Sequence, residues 1–191
     1  EIMLYIKDKI GIYAPDYYKD FKCIAGECRH SCCIDWEICI DECTYEKYKK
    51  IDGIFSTVAK DEYGASFVLR ADGRCPHLND DGLCNIILSH GEDYLSQICQ
   101  NHPRFYNYIS ENRVEAGLGI VCEEACRLIL ENENTFSLSE TDEFYGAEGQ
   151  NPQVSFDAIT PRNRIISILQ SEGSFYEKLD YLKTEFNLPQ I

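Results

Sequence analysis

Eleven cysteines in 191 residues constrain this chain more than any other feature, because eight of them form an ordered set. They run Cys23-x4-Cys28-x3-Cys32-Cys33 and then Cys75-x8-Cys84-x14-Cys99-x22-Cys122, with Cys39, Cys43 and Cys126 outside that framework. So many buried thiols offer little packing that Val or Ala would not, so disulfides, metal ligation and redox chemistry are the useful readings. The opening Glu1-Ile2-Met3-Leu4-Tyr5-Ile6 shows no basic n-region, no long apolar h-region and no small-residue cleavage site. An odd cysteine count would also leave one thiol unpaired. The expectation is a reduced, cytoplasmic protein whose cysteines bind metal or an iron–sulfur cluster.

A tetrahedral zinc site or a cubane cluster needs four converging ligands. On a helix, Cys28 and Cys32 would share a face and grip one site. The adjacent Cys32 and Cys33 diverge on either a helix or a strand, so one would bind the metal while the other serves a second site or the core. The spacing is not the C-x2-C pair of zinc fingers. Nor is there a C-x3-C-x2-C triad, since its third position falls on Asp35, Glu46 or Ile129. A glycine-rich dinucleotide loop is missing too, and a thiol redox protein would want the C-x-x-C pair that this sequence lacks.

A net charge of -15 argues against nucleic acid and against anionic membrane surfaces as partners. It permits a lysine-rich protein partner, or serves solubility alone. No apolar run approaches the roughly 20 residues of a membrane helix.

The pattern predicts a mainly α fold with small β-hairpins, in which an irregular, metal-stapled cysteine-rich domain is followed by a helical segment. Residues 1–132 hold the metal or iron–sulfur domain, 133–159 an acidic loop or linker, and 160–191 the helical segment. Thr44 is expected to cap a helix bearing Tyr45, Tyr48 and Ile51. Asn79-Asp80-Asp81-Gly82 signals a turn, Gly91 to Gln100 a short helix, and Phe105–Ile109 with Arg113–Ile120 a hairpin. A further helix is expected from Glu123 to Leu130. Thr160-Pro161 starts another, and Ser174 to Glu177 reads as a capping box.

The residues Phe21-Lys-Cys23-Ile-Ala-Gly-Glu-Cys28-Arg-His-Ser-Cys32-Cys33-Ile-Asp-Trp36 open a series of blocks that resembles the flagellin lysine-N-methylase family. The series continues in Thr44-Tyr45-Glu-Lys-Tyr48, Cys75-Pro76-His77-Leu78, Gly82-Leu83-Cys84, Tyr94-Leu95-Ser96-Gln-Ile-Cys99, Asn-His-Pro103-Arg104-Phe105 and Cys122-Glu-Glu124-Ala125-Cys-Arg127-Leu128. This resemblance implies methyl transfer from S-adenosylmethionine to lysine amines of flagellin or another lysine-bearing protein. It also implies an iron–sulfur centre of the 4Fe-4S type, or zinc, held by Cys23, Cys28, Cys32, Cys33, Cys75, Cys84, Cys99 and Cys122. Residues 160–191 would begin a C-terminal half missing here, leaving 1–191 alone inactive or nearly so. The competing reading is a non-catalytic zinc- or iron-binding module. No catalytic or donor-binding residue is assigned. His77 and His102 could be ligands or proton carriers, although a lone histidine is more often a hydrogen-bonded structural residue. Arg104 could orient an anionic group or pair with an acid, and Trp36, Tyr45 and Tyr48 could wall the centre or pack in the core.

Overall fold

The computed structural model describes residues 11–29, 31–110, 112–142, 157 and 159–189. Alternating apolar positions build the expected hairpin: β5 (Arg104–Ser110) and β6 (Arg113–Leu118) pair antiparallel from Arg104↔Leu118, with a bulge between Tyr108 and Ser110. β1 (Gly11–Pro15) adds to β6 in parallel, and β7 (Leu138–Glu140) closes its other edge antiparallel, giving the order β5-β6-β1-β7. Ile12, Ala14, Val114, Ala116 and Leu118 of this sheet are buried against Tyr18, Phe21 and Ala125. Tyr18 belongs to the short 3-10 turn Asp16–Asp20, and Ala125 to α5 (Glu123–Glu131).

A second sheet, ordered β2-β4-β3, joins β2 (Cys39–Ile40), β3 (Val58–Lys60) and β4 (Ala65–Phe67). Helices α1 (Glu42–Tyr48) and α2 (Asp52–Phe55) connect its strands. Its core holds Ile38, Ile40, Tyr48, Ile54, Ala65, Phe67, Cys75, Leu78 and Ile86. α3 (Asn85–His90) and α4 (Gln97–Asn101) follow, and the chain ends in a pair, α6 (Ile159–Gln170) and α7 (Phe175–Glu185). Arg162 on α6 reaches the buried Glu115 carboxylate on β6, which also pairs with Arg113 at 2.8 Å. Among the described residues no helix is long and apolar enough to cross a membrane.

The mainly α expectation is therefore wrong. Seven strands in two sheets, each sheet on its own apolar core, hold the described residues together. The metal-stapled part of that reading also fails, since no group of three or more Cys, His, Asp or Glu side chains among the described residues is set to hold a metal. Strands of two or three residues are too short for alternation to register, and the β1–β6 pairing joins segments about a hundred residues apart.

Several local signals hold. Ser174 Oγ accepts from the Glu177 amide at 3.3 Å while the Glu177 carboxylate accepts from Ser174 N at 2.7 Å, a complete capping box. Others shift. The Gly91–Gln100 helix is split: Gly91 at φ 90 ends α3, and a turn at Glu92–Tyr94 precedes α4. Asp157, not Thr160, receives the first amides of α6, those of Ile159 and Thr160, at 3.0 and 3.1 Å. Within the expected acidic linker, Leu138–Glu140 forms a strand, and residues 143–156 and 158 lie outside the described residues.

The cap of α1 is Asp41 rather than Thr44. Its Oδ1 accepts from the Thr44 amide at 2.9 Å, and its Oδ2 accepts from the amide of Gln97, the first residue of α4, also at 2.9 Å. Burial raises the Asp41 pKa, but these amide hydrogen bonds outweigh it and hold the carboxyl below its usual range. The folded pKa thus lies below the unfolded value of about 3.9. Its stabilising contribution is present above that value and is lost as pH falls through the folded pKa. Asp41→Ala is expected to cost about 1–3 kcal/mol in urea unfolding at neutral pH. Below about pH 4 the gap between wild type and variant should narrow, and a pH-independent gap would refute this account.

Candidate metal centre

Three tethers draw four framework cysteines together. First, the Cys33 loop is laced to the Cys75 loop by Cys75 N donating to Cys33 O at 2.7 Å and Asp35 N donating to Gly73 O at 3.0 Å. Asp35 takes φ 62 and Gly73 φ 79, and a Cβ at Gly73 would run into the Asp35 carboxylate, so only glycine fits that crossing. Second, the Asn79–Gly82 turn folds Cys84 back beside Leu78. Asn79 Oδ1 accepts from the amides of Asp81 and Leu83 at 3.0 and 2.9 Å, and Asn85 N donates to His77 O at 2.8 Å. Third, the Asp41–Gln97 hydrogen bond anchors the start of α4, which carries Cys99.

Cys75 is buried, while Cys33, Cys84 and Cys99 are half-buried and pack on the same core. Burial pushes the Cys75 thiol up to about 12 and the Cys99 thiol up to about 11, and it raises Cys84 as well; each also feels the charge of Cys33. Cys33 moves the other way. A hydrogen bond from the Cys32 thiol lowers it to about 7 against the effect of burial, with help from Ser31. Cys32 is raised chiefly by giving that bond, then by burial and by the charges of Cys33, Cys23 and Cys99. One thiolate among four close thiols is a partly charged, sulfur-lined site whose remaining protons a bound cation would displace.

The other framework cysteines sit toward the second core. Cys28 Sγ contacts Glu123 Oε2 at 3.7 Å, and the same oxygen accepts from Arg29 N at 2.7 Å. Cys122 caps α5 immediately before Glu123 and packs on the β1–β6 core. Cys23 is exposed, and Cys32, also exposed, feels both Cys23 and Cys99. The structure thus groups Cys33, Cys75, Cys84 and Cys99 inside, with Cys23, Cys28, Cys32 and Cys122 around them. The helix expected to align Cys28 with Cys32 does not form, because only Ala25–Glu27 makes a 3-10 turn there. Cys39 and Cys43 are exposed on β2 and α1, and Cys126 lies on α5.

The remaining candidates are largely structural. His77 Nε2 pairs with Thr57 Oγ1 at 2.9 Å and its ring meets Phe67 edge-on at 4.9 Å, while burial lowers its pKa. His102 lies 6.1 Å from Trp36, whose indole N–H donates to Cys32 O. Tyr48 is wholly buried and donates its hydroxyl to Tyr94 O at 2.6 Å, so it belongs to the core. Tyr45 packs on Phe55, with Lys60 Nζ 4.2 Å from its ring centroid. These three aromatic rings form no common wall. The Arg104 guanidinium lies over Phe21 at 5.1 Å and Tyr18 at 5.8 Å. His30 falls outside the described residues. Sequence reasoning missed Asp41 and Ser96; the Ser at the start of α4, three residues before Cys99, was the signal available for the second.

Comparison with known proteins finds no matching family model and no matching solved structure. Curated relatives do match. A lysine-N-methylase from Salmonella choleraesuis is 30% identical over 143 residues, 69% of this chain and 35% of that protein. The lysine-N-methylase of Salmonella typhimurium matches to the same extent, 30% over 143 residues. Flagellar biosynthetic protein FliU of Salmonella muenchen is 29% identical over 147 residues, 71% of this chain and 86% of that protein. The match thus spans about a third (35%) of the length of the two methylases.

The Cys32–Cys33 hydrogen bond predicts one unusually acidic thiol in metal-free protein. An ultraviolet titration of thiolate absorbance should show a first step near pH 7, from Cys33 lowered to about 7. Cys33→Ser should abolish that step, and Cys32→Ala should move it upward. A step that survives Cys33→Ser would locate the acidic thiol elsewhere.

Proposed function

The chain is related to the flagellin lysine-N-methylase family, and from that premise we propose that it serves lysine N-methylation of flagellin with S-adenosylmethionine as donor. The relationship to proteins named lysine-N-methylase carries this reading. The lysine must reach the donor as a neutral amine, the form that can attack a methyl carbon. An excess of acidic residues, net charge -15, suits a lysine-bearing partner.

The framework cysteines are proposed as ligands of an iron–sulfur centre of the 4Fe-4S type, or of zinc. All-thiolate ligation suits either. Cys33, Cys75, Cys84 and Cys99 form the inner set and Cys23, Cys28, Cys32 and Cys122 the outer one. The fit rests on donor chemistry: four thiols share one half-buried environment, and the buried hydroxyl of Ser96 beside Cys99 has no hydrogen-bond partner. When bound, the cation supplies the positive charge that keeps neighbouring thiolates ionised. This chain's residues would orient the sulfurs, through Asp41, Gly73 and the Asn79 turn.

One observation favours the alternative of a non-catalytic zinc- or iron-binding module. Two open cavities, of 590 Å³ between α6 and α7 and 440 Å³ beside α5, are lined by no cysteine. The sulfurs are thus not placed at the mouth of either.

Mass spectrometry decides between the two. Flagellin incubated with S-adenosylmethionine is expected to gain methyl groups on lysine when residues 1–191 are continued to the length of the relatives. Residues 1–191 alone should give little or none, because amine and methyl carbon must be aligned within about 3–3.5 Å. Metal-loaded, extended protein that leaves flagellin unmodified would favour the binding module. Metal analysis and an absorption spectrum of anaerobically prepared protein separate iron–sulfur from zinc.

A further inference from the structure

Ser96 is the most completely buried polar residue of the cysteine region, at 0% exposure, and its Oγ has no hydrogen-bond partner. Such a hydroxyl is unusual, because buried polar groups are ordinarily satisfied. Its position makes the absence more telling. A serine at a helix N-cap normally turns its oxygen onto the amides two or three residues ahead. Ser96 caps α4 without any side-chain cap hydrogen bond, although Ser96 O still accepts from Gln100 N at 3.0 Å. The amide of Gln97 is taken instead by Asp41 Oδ2 at 2.9 Å. The hydroxyl is thereby released from capping, three residues before Cys99 and on the same side of the helix turn. Its dipole opposes the burial that raises the Cys99 thiol.

We infer that Ser96 is a positioning residue for the inner metal centre, donating its O–H to the Cys99 sulfur when that sulfur is a metal-bound thiolate. The inference rests on the reading that Cys33, Cys75, Cys84 and Cys99 ligate a metal. A thiol sulfur is a weak acceptor, whereas a thiolate is a strong one, so the hydroxyl gains its partner only in the loaded state. Hydrogen bonds of this kind orient a ligand and tune the metal it holds. Asp41 acts one step further out, by occupying the amide that would otherwise claim the Ser96 oxygen.

Anaerobic titration of the metal-free protein with Co²⁺ tests this without reference to activity, read by thiolate-to-cobalt absorption. Ser96→Ala should keep the wild-type stoichiometry while affinity falls about tenfold and the absorption band shifts. The thermal midpoint of metal-free Ser96→Ala should be unchanged or higher, since the variant removes an unpartnered buried hydroxyl. Ser96→Thr, which retains the hydroxyl, should restore affinity toward wild type. Unchanged Co²⁺ affinity in Ser96→Ala would overturn the inference, as would a lower midpoint of the metal-free variant, which would show a structural role instead. Failure of wild-type protein to take up Co²⁺ would remove the metal reading itself, a result distinct from wild-type uptake that Ser96→Ala leaves unaltered.

Discussion

Two helices begin on one carboxylate. Asp41 receives the Thr44 amide of α1 through one oxygen and the Gln97 amide of α4 through the other, joining segments 56 residues apart. A free helix start carries unsatisfied N–H groups and partial positive charge, so an anion shared by two of them is stabilised twice. Much of the cysteine region depends on this contact. It fixes where α4 begins, and hence where Cys99 stands relative to the β2–β4–β3 sheet and to Cys33, Cys75 and Cys84.

The same economy of backbone contacts places the other sulfurs. Cys33 and Cys75 are adjacent because their loops exchange main-chain hydrogen bonds around the Asp35–Gly73 crossing, where two left-handed residues meet. These contacts exist with no metal present. The thiols are therefore gathered by the fold, and ligand binding would draw on a nearly assembled set rather than create it. The electrostatic consequence is uneven acidity: Cys33 is lowered by its neighbour's hydrogen bond, while Cys75, Cys84 and Cys99 are held protonated by burial.

The two apolar cores divide the cysteines as they divide the chain. Cys33, Cys75, Cys84 and Cys99 belong to the core of the small sheet, and Cys122 to that of the four-stranded sheet. Cys28 reaches α5 of the second region through Glu123, and Arg162 ties α6 to the same sheet through the buried Glu115. Charges that are exposed elsewhere on this acidic chain are thus used at a few partly buried points to join elements that apolar packing alone leaves separate.

The cysteine spacing determined that sulfur chemistry is central here, since no packing argument needs eight thiols in that order. Local signals of a few residues were also legible: the Ser174 capping box, the Asn79–Gly82 turn, the Arg104–Leu118 hairpin and α5. Their physics is short-range, and the residues involved are neighbours in the chain. The motif blocks likewise pointed to the lysine-N-methylase relationship that the Salmonella proteins bear out. Only the tertiary structure decided the rest. That β1 pairs with β6, that strands of two or three residues build a second sheet, and that Asp41 caps a helix far along the chain are all non-local outcomes. So is the sorting of Cys33 inward and Cys32 outward. Each depends on which distant amide, carboxylate or apolar face lies opposite, and spacing along a chain carries no record of what will face it after folding.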